Sequence, residues 1–146
     1  MTHQLNFIYN DSDWIAPAEY PDLSQATEIA IDLETKDPNI KTKGPGWATF
    51  DGHIVGFAVA ALGQQWYFPI AHDAGGNMDL SITCAWMQDV LKTDATKIFH
   101  NASYDVGWLL VNGFEIRGKI VDTMIAAALI NENRFSFSLN ACAKDY

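Results

Sequence analysis

The chain has 146 residues, of which 49% are hydrophobic, 12% are aromatic and 18% are charged, and its formal net charge is −9. This composition predicts one folded domain with its own core. It excludes a disordered chain and a membrane span, since no apolar run approaches roughly 18 residues. The acidic balance argues against a broad basic surface for phosphates, but it allows a nucleic-acid enzyme whose positive charge comes from bound metals.

The N-terminal 25 residues carry no regular pattern, and they predict a loose arm with one short strand at 6–9. The start, Met1-Thr2-His3-Gln4, lacks the basic and apolar regions of a signal peptide. Cys84 and Cys142 are not spaced as metal ligands, so we expect reduced thiols and a cytoplasmic protein. Residues 26–146 are predicted to form the folded domain.

A short apolar run, Ile29-Ala30-Ile31, predicts a buried strand over residues 28–34, and two carboxylates lie at its end. Asp32 and Glu34 are spaced i and i+2, so in an extended chain they point to the same face. Two neighbouring acids repel each other unless a cation lies between them, and oxygen ligands suit Mg²⁺ or Mn²⁺. The alternative is that both are ordinary loop or helix-capping residues.

Residues 36–50 are rich in turn signals and contain three lysines and a tryptophan, namely Lys36, Lys41, Lys43 and Trp47. Basic side chains beside an aromatic ring are typical of surfaces that bind single-stranded nucleic acid. A solvated loop held by one anchoring tryptophan is the simpler interpretation, and it is the one that we favour.

Two alternating segments, 53–62 and 65–70, predict a hairpin that turns at Gly63. Pro69 lies near the end of the second segment, which indicates an edge strand or a strand terminus. His72 follows in a loop, where a structural role is more common than a catalytic one.

Helices and strands alternate in the second half of the chain, which predicts parallel pairing in a mixed sheet. The helix at 80–91 is expected to bury a face made of Ile82, Trp86, Val90 and Leu91. The later predicted elements are a strand at 97–100, a helix at 101–111 stopped by Gly113, a strand at 115–121, a helix at 123–130 capped by Asp122, and a last helix opened by Ser136 or Ser138. The predicted class is an α/β fold with about five strands, an antiparallel hairpin plus parallel strands, and helices packed against the sheet.

A third acid follows the predicted strand at 97–100. Asp105 lies in the first turn of the next helix, near the positive end of the helix dipole. Because sites in open α/β sheets lie at the carboxyl ends of the strands, Asp105 would face Asp32 and Glu34 if the two strands are parallel neighbours. The alternative is a capping residue without a chemical role.

These segments resemble the 3′–5′ exonucleases that use four acidic ligands, and above all the proofreading domain of family A DNA polymerases, the DNA polymerase I type, including phage relatives. Asp32-Leu33-Glu34-Thr35 is similar to the first motif, and Asn101-Ala102-Ser103-Tyr104-Asp105 is similar to the second. Residues 66–72, with a Pro-x-x-His turn, and residues 121–124 and 138–143 add to a resemblance that covers roughly residues 26–146.

The resemblance implies a ribonuclease H-like fold and a nuclease with two divalent metal ions, Mg²⁺ or Mn²⁺, that releases nucleoside monophosphates from the 3′ end of single-stranded DNA. The site residues that it implies are the catalytic metal ligands Asp32, Glu34 and Asp105 and the substrate-binding residues Thr35, Asn101 and Tyr104. Asp122 matches a family position that is not a metal ligand, so we expect it to act as a helix cap.

The family's third motif, a Tyr followed four residues later by an Asp, has no match before Tyr146. We therefore expect residues 26–146 to be an exonuclease domain that is incomplete at its C-terminus and whose partner is the polymerase domain of a longer chain. On its own it should bind metal weakly and cleave poorly. Two alternatives stay open: an exoribonuclease of the ribonuclease D type, and a catalytically silent fold that binds single-stranded nucleic acid or a partner protein.

Overall fold

The computed structural model describes residues 14–145 and builds one five-stranded sheet with helices against it. The strand predicted at 6–9 lies outside the described residues. The strands are β1 (Glu28–Lys36), β2 (His53–Ala61), β3 (Gln64–Pro69), β4 (Thr96–Phe99) and β5 (Ile120–Asp122). The helices are α1 (Ile40–Lys43), α2 (Gly46–Thr49), α3 (Leu80–Lys92), α4 (Ala102–Val111), α5 (Thr123–Ile130) and α6 (Leu139–Asp145).

Strand β1 is at the centre of a sheet whose order is β3-β2-β1-β4-β5. It pairs antiparallel with β2 and parallel with β4, and β4 pairs parallel with β5. Ile29, Ile31 and Leu33 are buried on one face of β1, whereas Asp32 on the other face is half-buried. The mixed sheet predicted from the sequence is confirmed, and it brings the carboxyl ends of β1 and β4 to the same edge.

The β2–β3 hairpin turns at Leu62 and Gly63, whose φ angles are 53° and 73°. Two consecutive left-handed residues form the tight hairpin turn that suits the twist of the flanking strands. Strand β3 is an edge strand and Pro69 is its last residue, as expected from a proline that cannot donate to a ladder.

Helix α3 has the predicted length, but its predicted buried face is wrong in part. Ile82 is 56% exposed, and the stripe that enters the core consists of Thr83, Met87, Val90 and Leu91. The polar Thr83 tolerates full burial because its hydroxyl lies 2.7 Å from both the Asp79 carbonyl oxygen and the Tyr20 hydroxyl. Because the Thr83 hydroxyl has hydrogen-bond partners, α3 turns Thr83 toward the sheet in place of the neighbouring Ile82.

The strand predicted at 115–121 is also wrong, since only Ile120–Asp122 pairs in the sheet. Before it, the Arg117 amide donates to the Leu91 carbonyl at the end of α3 rather than to a strand. Gly118 then turns with a φ of 77°, so close to Ala95 that a Cβ would lie 2.5 Å from its carbonyl oxygen. The backbone groups of this segment are therefore used by the end of α3, and the sheet gains only three residues.

The last three predicted helices are present. Helix α4 ends at Val111, and Gly113 follows with a φ of 84°. Helix α5 has the predicted bounds with Asp122 as its cap, and α6 follows Ser138. Among the described residues, none of these helices has the length and hydropathy of a bilayer span.

Candidate active site

Three carboxylates meet at the carboxyl edge of the parallel pair β1 and β4. Asp32 and Glu34 lie in the C-terminal half of β1, and Asp105 lies in the first turn of α4, directly after β4. The parallel pairing of β1 with β4 places all three at one end of the sheet. Open α/β sheets place their ligand sites at this end.

Asp105 is the most deeply placed of the three, with a side chain that is 3% exposed. Burial raises the pKa of its carboxyl group to about 7, and the charges of Asp32, Asp122 and Glu34 add to the rise. A hydrogen bond from the Leu33 backbone opposes it. Burial also raises the pKa of Asp32. Because the charges of Asp32 and Glu34 act on Asp105, these carboxyl groups are close enough for one cation to favour the charged form of Asp105.

Glu34 is exposed and stands next to an irregularity in the β1–β2 ladder between Glu34 and Thr35. Its side chain has no hydrogen bond or ion pair with any of the described residues. Within residues 14–145, no three His, Cys, Asp or Glu side chains are already arranged as a metal-binding group. The donor set fits a hard cation that prefers oxygen, and Glu34 is the side chain that has room to turn toward it.

Asp122 lies near the three acids, but its oxygens are already occupied. One oxygen accepts from the amides of Asn101 at 3.1 Å and Met124 at 2.9 Å, and the other accepts from Ala102 at 2.8 Å. Burial raises the pKa of Asp122, but these hydrogen bonds outweigh it and leave the pKa lowered. One carboxylate thus caps both α4 and α5, as the sequence indicated for α5 alone.

Asn101 precedes α4 in the left-handed conformation, with φ 69° and ψ 55°. Its side chain gives the helix no capping hydrogen bond, and its Oδ1 accepts from the Ser103 hydroxyl at 3.1 Å. Asn is one of the few residues that tolerate this backbone conformation. The amide side chain therefore contacts the Ser103 hydroxyl in the first turn of α4 and does not bond to the backbone of the helix.

Thr35 and Tyr104, both expected near a substrate, contact each other directly. Their hydroxyl oxygens are 2.8 Å apart, and the Tyr104 hydroxyl donates to Asp37 Oδ2 at 2.9 Å. The same Asp37 oxygen accepts from the Gly46 amide at 2.8 Å. Asp37 was missed in the sequence because Asp-Pro-Asn reads as a turn, although an acid three residues after Glu34 was a signal that could have been followed.

Residues 37–52, called the strap from here on, cross α4 and contact it at Tyr104, Gly107 and Trp108. An irregular loop was predicted, whereas the strap contains the two one-turn helices α1 and α2. Trp47 packs on α4 so closely that a Cβ at Gly107 would lie 2.5 Å from its ring. Trp108 of α4 packs in the same way against Gly46, at 2.8 Å. Trp47 is thus the anchor of the segment, as in the interpretation that the sequence favoured.

Tyr67 lies on the same face of the sheet as Asp32, since Asp32, Ala58 and Tyr67 are paired across three strands. Its hydroxyl is hydrogen-bonded to His72 Nε2. Burial and the charge of Glu34 raise the pKa of Tyr67 to about 12, so the hydroxyl keeps its proton. His72 therefore has a structural contact, as expected. Tyr67 was missed because the strand register that aligns it with Asp32 is not visible in the sequence.

A cavity of about 900 Å³ opens beside Asp32 on this face, and its lining includes Ala30, Ala58, Tyr67 and His100. The His100 ring is fixed, with Nδ1 2.9 Å from the Thr123 hydroxyl and Nε2 2.8 Å from the Phe137 carbonyl oxygen. Small-molecule sites commonly have volumes of roughly 300–1,000 Å³. The cavity has room for one nucleotide next to Asp32.

The sequence model of 3′–5′ exonuclease domains matches residues 18–146 of the chain. A DNA-directed DNA polymerase of Pseudomonas phage M6 is 34% identical over 145 residues, which cover 94% of this chain and 22% of that protein. The chain therefore spans about a fifth of the length of that relative.

Two solved structures share the fold at low sequence identity. Brucella melitensis NrnC with bound Mg²⁺ has a TM-score of 0.58 and 21% identity, covering 86% of this chain and 57% of that one. Escherichia coli RNase D, an exoribonuclease involved in structured RNA processing, has a TM-score of 0.59 and 18% identity, covering 85% and 28%. The likeness confirms the ribonuclease H-like fold.

Proposed function

Because this chain belongs to the family of 3′–5′ exonuclease domains found in family A DNA polymerases, we propose that it hydrolyses phosphodiester bonds at the 3′ end of a DNA strand. Nucleoside monophosphates would leave one at a time, as in the proofreading of a phage polymerase. The observation that carries the proposal is the buried Asp105, which the parallel strands β1 and β4 bring beside Asp32 and whose pKa is raised to about 7 by burial and by the charge of Asp32. A helix cap alone would not need a third acid at that depth.

We propose that Asp32, Glu34 and Asp105 hold Mg²⁺ or Mn²⁺. The fit rests on the donor set: three carboxylates, one of them buried and destabilised in its charged form, and one free to turn. When bound, a pair of such ions activates the attacking water and stabilises the leaving oxygen. The chain's own part is to fix the carboxylates at the sheet edge, where β1 and α4 are held by the core.

The terminal nucleotide would occupy the cavity beside Asp32. Thr35 and Tyr104, fixed to each other and to Asp37, form one wall of polar groups at the edge of the sheet. The Asn101 side chain, which makes no capping hydrogen bond to α4, is at the same edge. These residues would orient the last sugar and phosphate against the carboxylates, which is how positioning lowers the barrier to in-line attack.

The test is cleavage of a single-stranded oligonucleotide labelled at its 5′ end, in Mn²⁺ and with protein in excess. Asp32→Asn should remove stepwise shortening from the 3′ end. Asp89→Asn, which makes the same charge change at an exposed position of α3, should leave it unchanged. DNA and RNA strands of equal sequence measure the sugar preference. Shortening that persists in Asp32→Asn would contradict the proposed site.

The longer phage relative suggests the partner. Since the chain spans 22% of a protein named as a DNA polymerase, we propose that the strand reaches this site from a polymerase domain in the same polypeptide. A proofreading site acts on an end that has left its template, which makes single-stranded DNA the substrate.

A further inference from the structure

The outer side of the strap presents one large aromatic ring to solvent. Phe50, at the end of α2, is 90% exposed. Its backbone is left-handed, with φ 56° and ψ 39°, a conformation that bulky residues rarely adopt. Neither feature contributes to the core. Strained, exposed residues of this kind persist where the surrounding structure holds them, and such positions cluster at binding sites.

The strap and the residue before it contain three lysines and two aspartates, a net charge of +1 in a chain whose net charge is −9. The whole sequence has 9 Lys and Arg against 18 Asp and Glu, and Lys36, Lys41 and Lys43 lie within one short stretch. Lys41 has no ion pair with any residue in the described part of the chain. Lys36 pairs with the exposed Asp73, a surface pair of the kind that contributes little to stability and can exchange for a phosphate, and Lys43 pairs with the half-buried Asp51.

This surface is held in a fixed position beside the proposed active site. Asp37 ties the strap to Tyr104, and Trp47 packs against α4. At its other end, Gly52 lies so close to the Lys36 carbonyl oxygen that a Cβ would overlap it. Lys36 is two residues from Glu34, which is at most about 7 Å along an extended chain. Phe50 and the lysines therefore continue the edge that holds the carboxylates.

We propose that the outer face of the strap binds the single-stranded nucleic acid that leads to the 3′ end, with Phe50 stacking on a base and Lys41, aided by Lys36 and Lys43, contacting phosphates. Aromatic stacking with basic side chains is the general chemistry of single-strand binding. The exposed lysines supply positive charge for a phosphate backbone, and the two acids of the strap, Asp37 and Asp51, are half-buried. The direction of the strand rests on the proposed function, since the 3′ end must reach Asp32.

The aromatic ring that is exposed for stacking on a base is not the one that the sequence indicated. The sequence pointed to Trp47, but Trp47 is turned onto Gly107 and its indole nitrogen is buried. Phe50, three residues later, is the ring that faces outward. Trp47 is therefore the anchor of the strap, and Phe50 is the ring to which we assign the proposed stacking on a base.

The experiment measures the affinity of the full chain for a fluorescent single strand of about 12 nucleotides, as DNA and as RNA, by anisotropy in Ca²⁺. Phe50→Asn removes the ring and places a residue that tolerates the left-handed backbone. Its matched control is Leu62→Asn, the same kind of change at the exposed, left-handed tip of the β2–β3 hairpin. Lys41→Glu is matched by Lys119→Glu, an exposed lysine just before β5, at the opposite edge of the sheet.

Phe50→Asn and Lys41→Glu should each weaken binding by about five- to tenfold, and Lys41→Glu should lower the salt slope by about 0.7. Both controls should bind as the parent chain does. Equal affinity in the strap variants and the parent, or equal losses in the controls, would overturn the inference. Asp32→Asn separates the two proposals: if it abolishes cleavage while strap variants bind normally, only this inference falls. If strap variants lose binding while no Asp32-dependent cleavage exists, only the nuclease proposal falls.

Discussion

The hydroxyl of Tyr67 occupies the space that a side chain at Gly56 would fill, because a Cβ added at Gly56 would overlap the hydroxyl oxygen. Gly56 is the cross-strand partner of Glu34. The tyrosine therefore leans along the sheet until its hydroxyl is next to the Glu34 side chain. This placement explains why the charge of Glu34 affects the pKa of Tyr67.

Gly56→Ala is expected to destabilise the chain by about 1–3 kcal/mol, since the added methyl group must displace a half-buried ring. The measurement is urea unfolding. In a chain that also carries Tyr67→Ala, the same substitution should cost much less, because the overlapping group is gone. An equal cost in both backgrounds would show that Tyr67 does not limit the space at position 56.

The charge of Asp105 should make metal-free stability depend on pH. The pKa of its carboxyl group is raised from 3.8 to about 7 in the folded chain. As pH rises between these values, the unfolded chain releases this proton while the folded chain keeps it, so the free energy of unfolding falls. Above about pH 7 the loss is complete and constant.

Asp105→Asn removes this loss. In EDTA near pH 8, the variant should be more stable than the parent by about 1–2 kcal/mol. The difference should shrink toward about pH 5, where the parent carboxyl is protonated. Adding Mn²⁺ should raise the melting temperature of the parent more than that of the variant. A variant that is less stable than the parent at every pH would contradict this account.

Asp122 should be worth roughly two ordinary helix caps. It accepts from amides at the start of both α4 and α5, whereas the Asp79 side chain, among residues 14–145, accepts only from Ile82 at the start of α3. Since one lost cap costs about 1 kcal/mol, Asp79→Ala should cost about that much and Asp122→Ala about twice as much in thermal unfolding. Equal losses would mean that Asp122 serves only one of its two helices.

Leu62→Asn should stabilise the chain by about 1 kcal/mol. Leu62 is 58% exposed and has a φ of 53°, so it contributes little packing and holds an unfavourable backbone conformation. The substitution creates the Asn-Gly pair that two-residue hairpin turns favour. Leu62→Ala, which removes the side chain without accommodating the turn, should not reproduce the gain. Chemical denaturation of the three chains would measure this.

The sequence was sufficient where a short local pattern determines the structure. Asp32 and Glu34 share a face because alternation is intrinsic to a strand, and the strand–helix order brings Asp105 to the same edge. It was insufficient where a distant partner decides. Ile82 lost its place in the core because Tyr20 satisfies the hydroxyl of Thr83. The strand at 115–121 was shortened because its amides bond to the end of α3.

The site residues that were missed in the sequence are also positioned by residues that are distant along the chain. Tyr67 reaches Glu34 only through the register of three strands, and no local pattern encodes that register. Trp47 packs against Gly107 of α4, where the glycine leaves room for its ring, and Phe50 is left facing outward. The roles of Thr35, Asn101 and Tyr104 stay predictions, although the first and last of these are now joined by a hydrogen bond.

The saturated carboxylate of Asp122 has a consequence for how cations would reach the pocket. Its oxygens accept hydrogen bonds from backbone amides, yet its negative charge still contributes to the rise in the pKa of Asp105. Its charge therefore attracts a cation toward Asp105, although its oxygens are not free to coordinate that cation. Because dissolved salt screens this attraction, the metal affinity of the site should fall as ionic strength rises, even in a chain that keeps Asp32, Glu34 and Asp105.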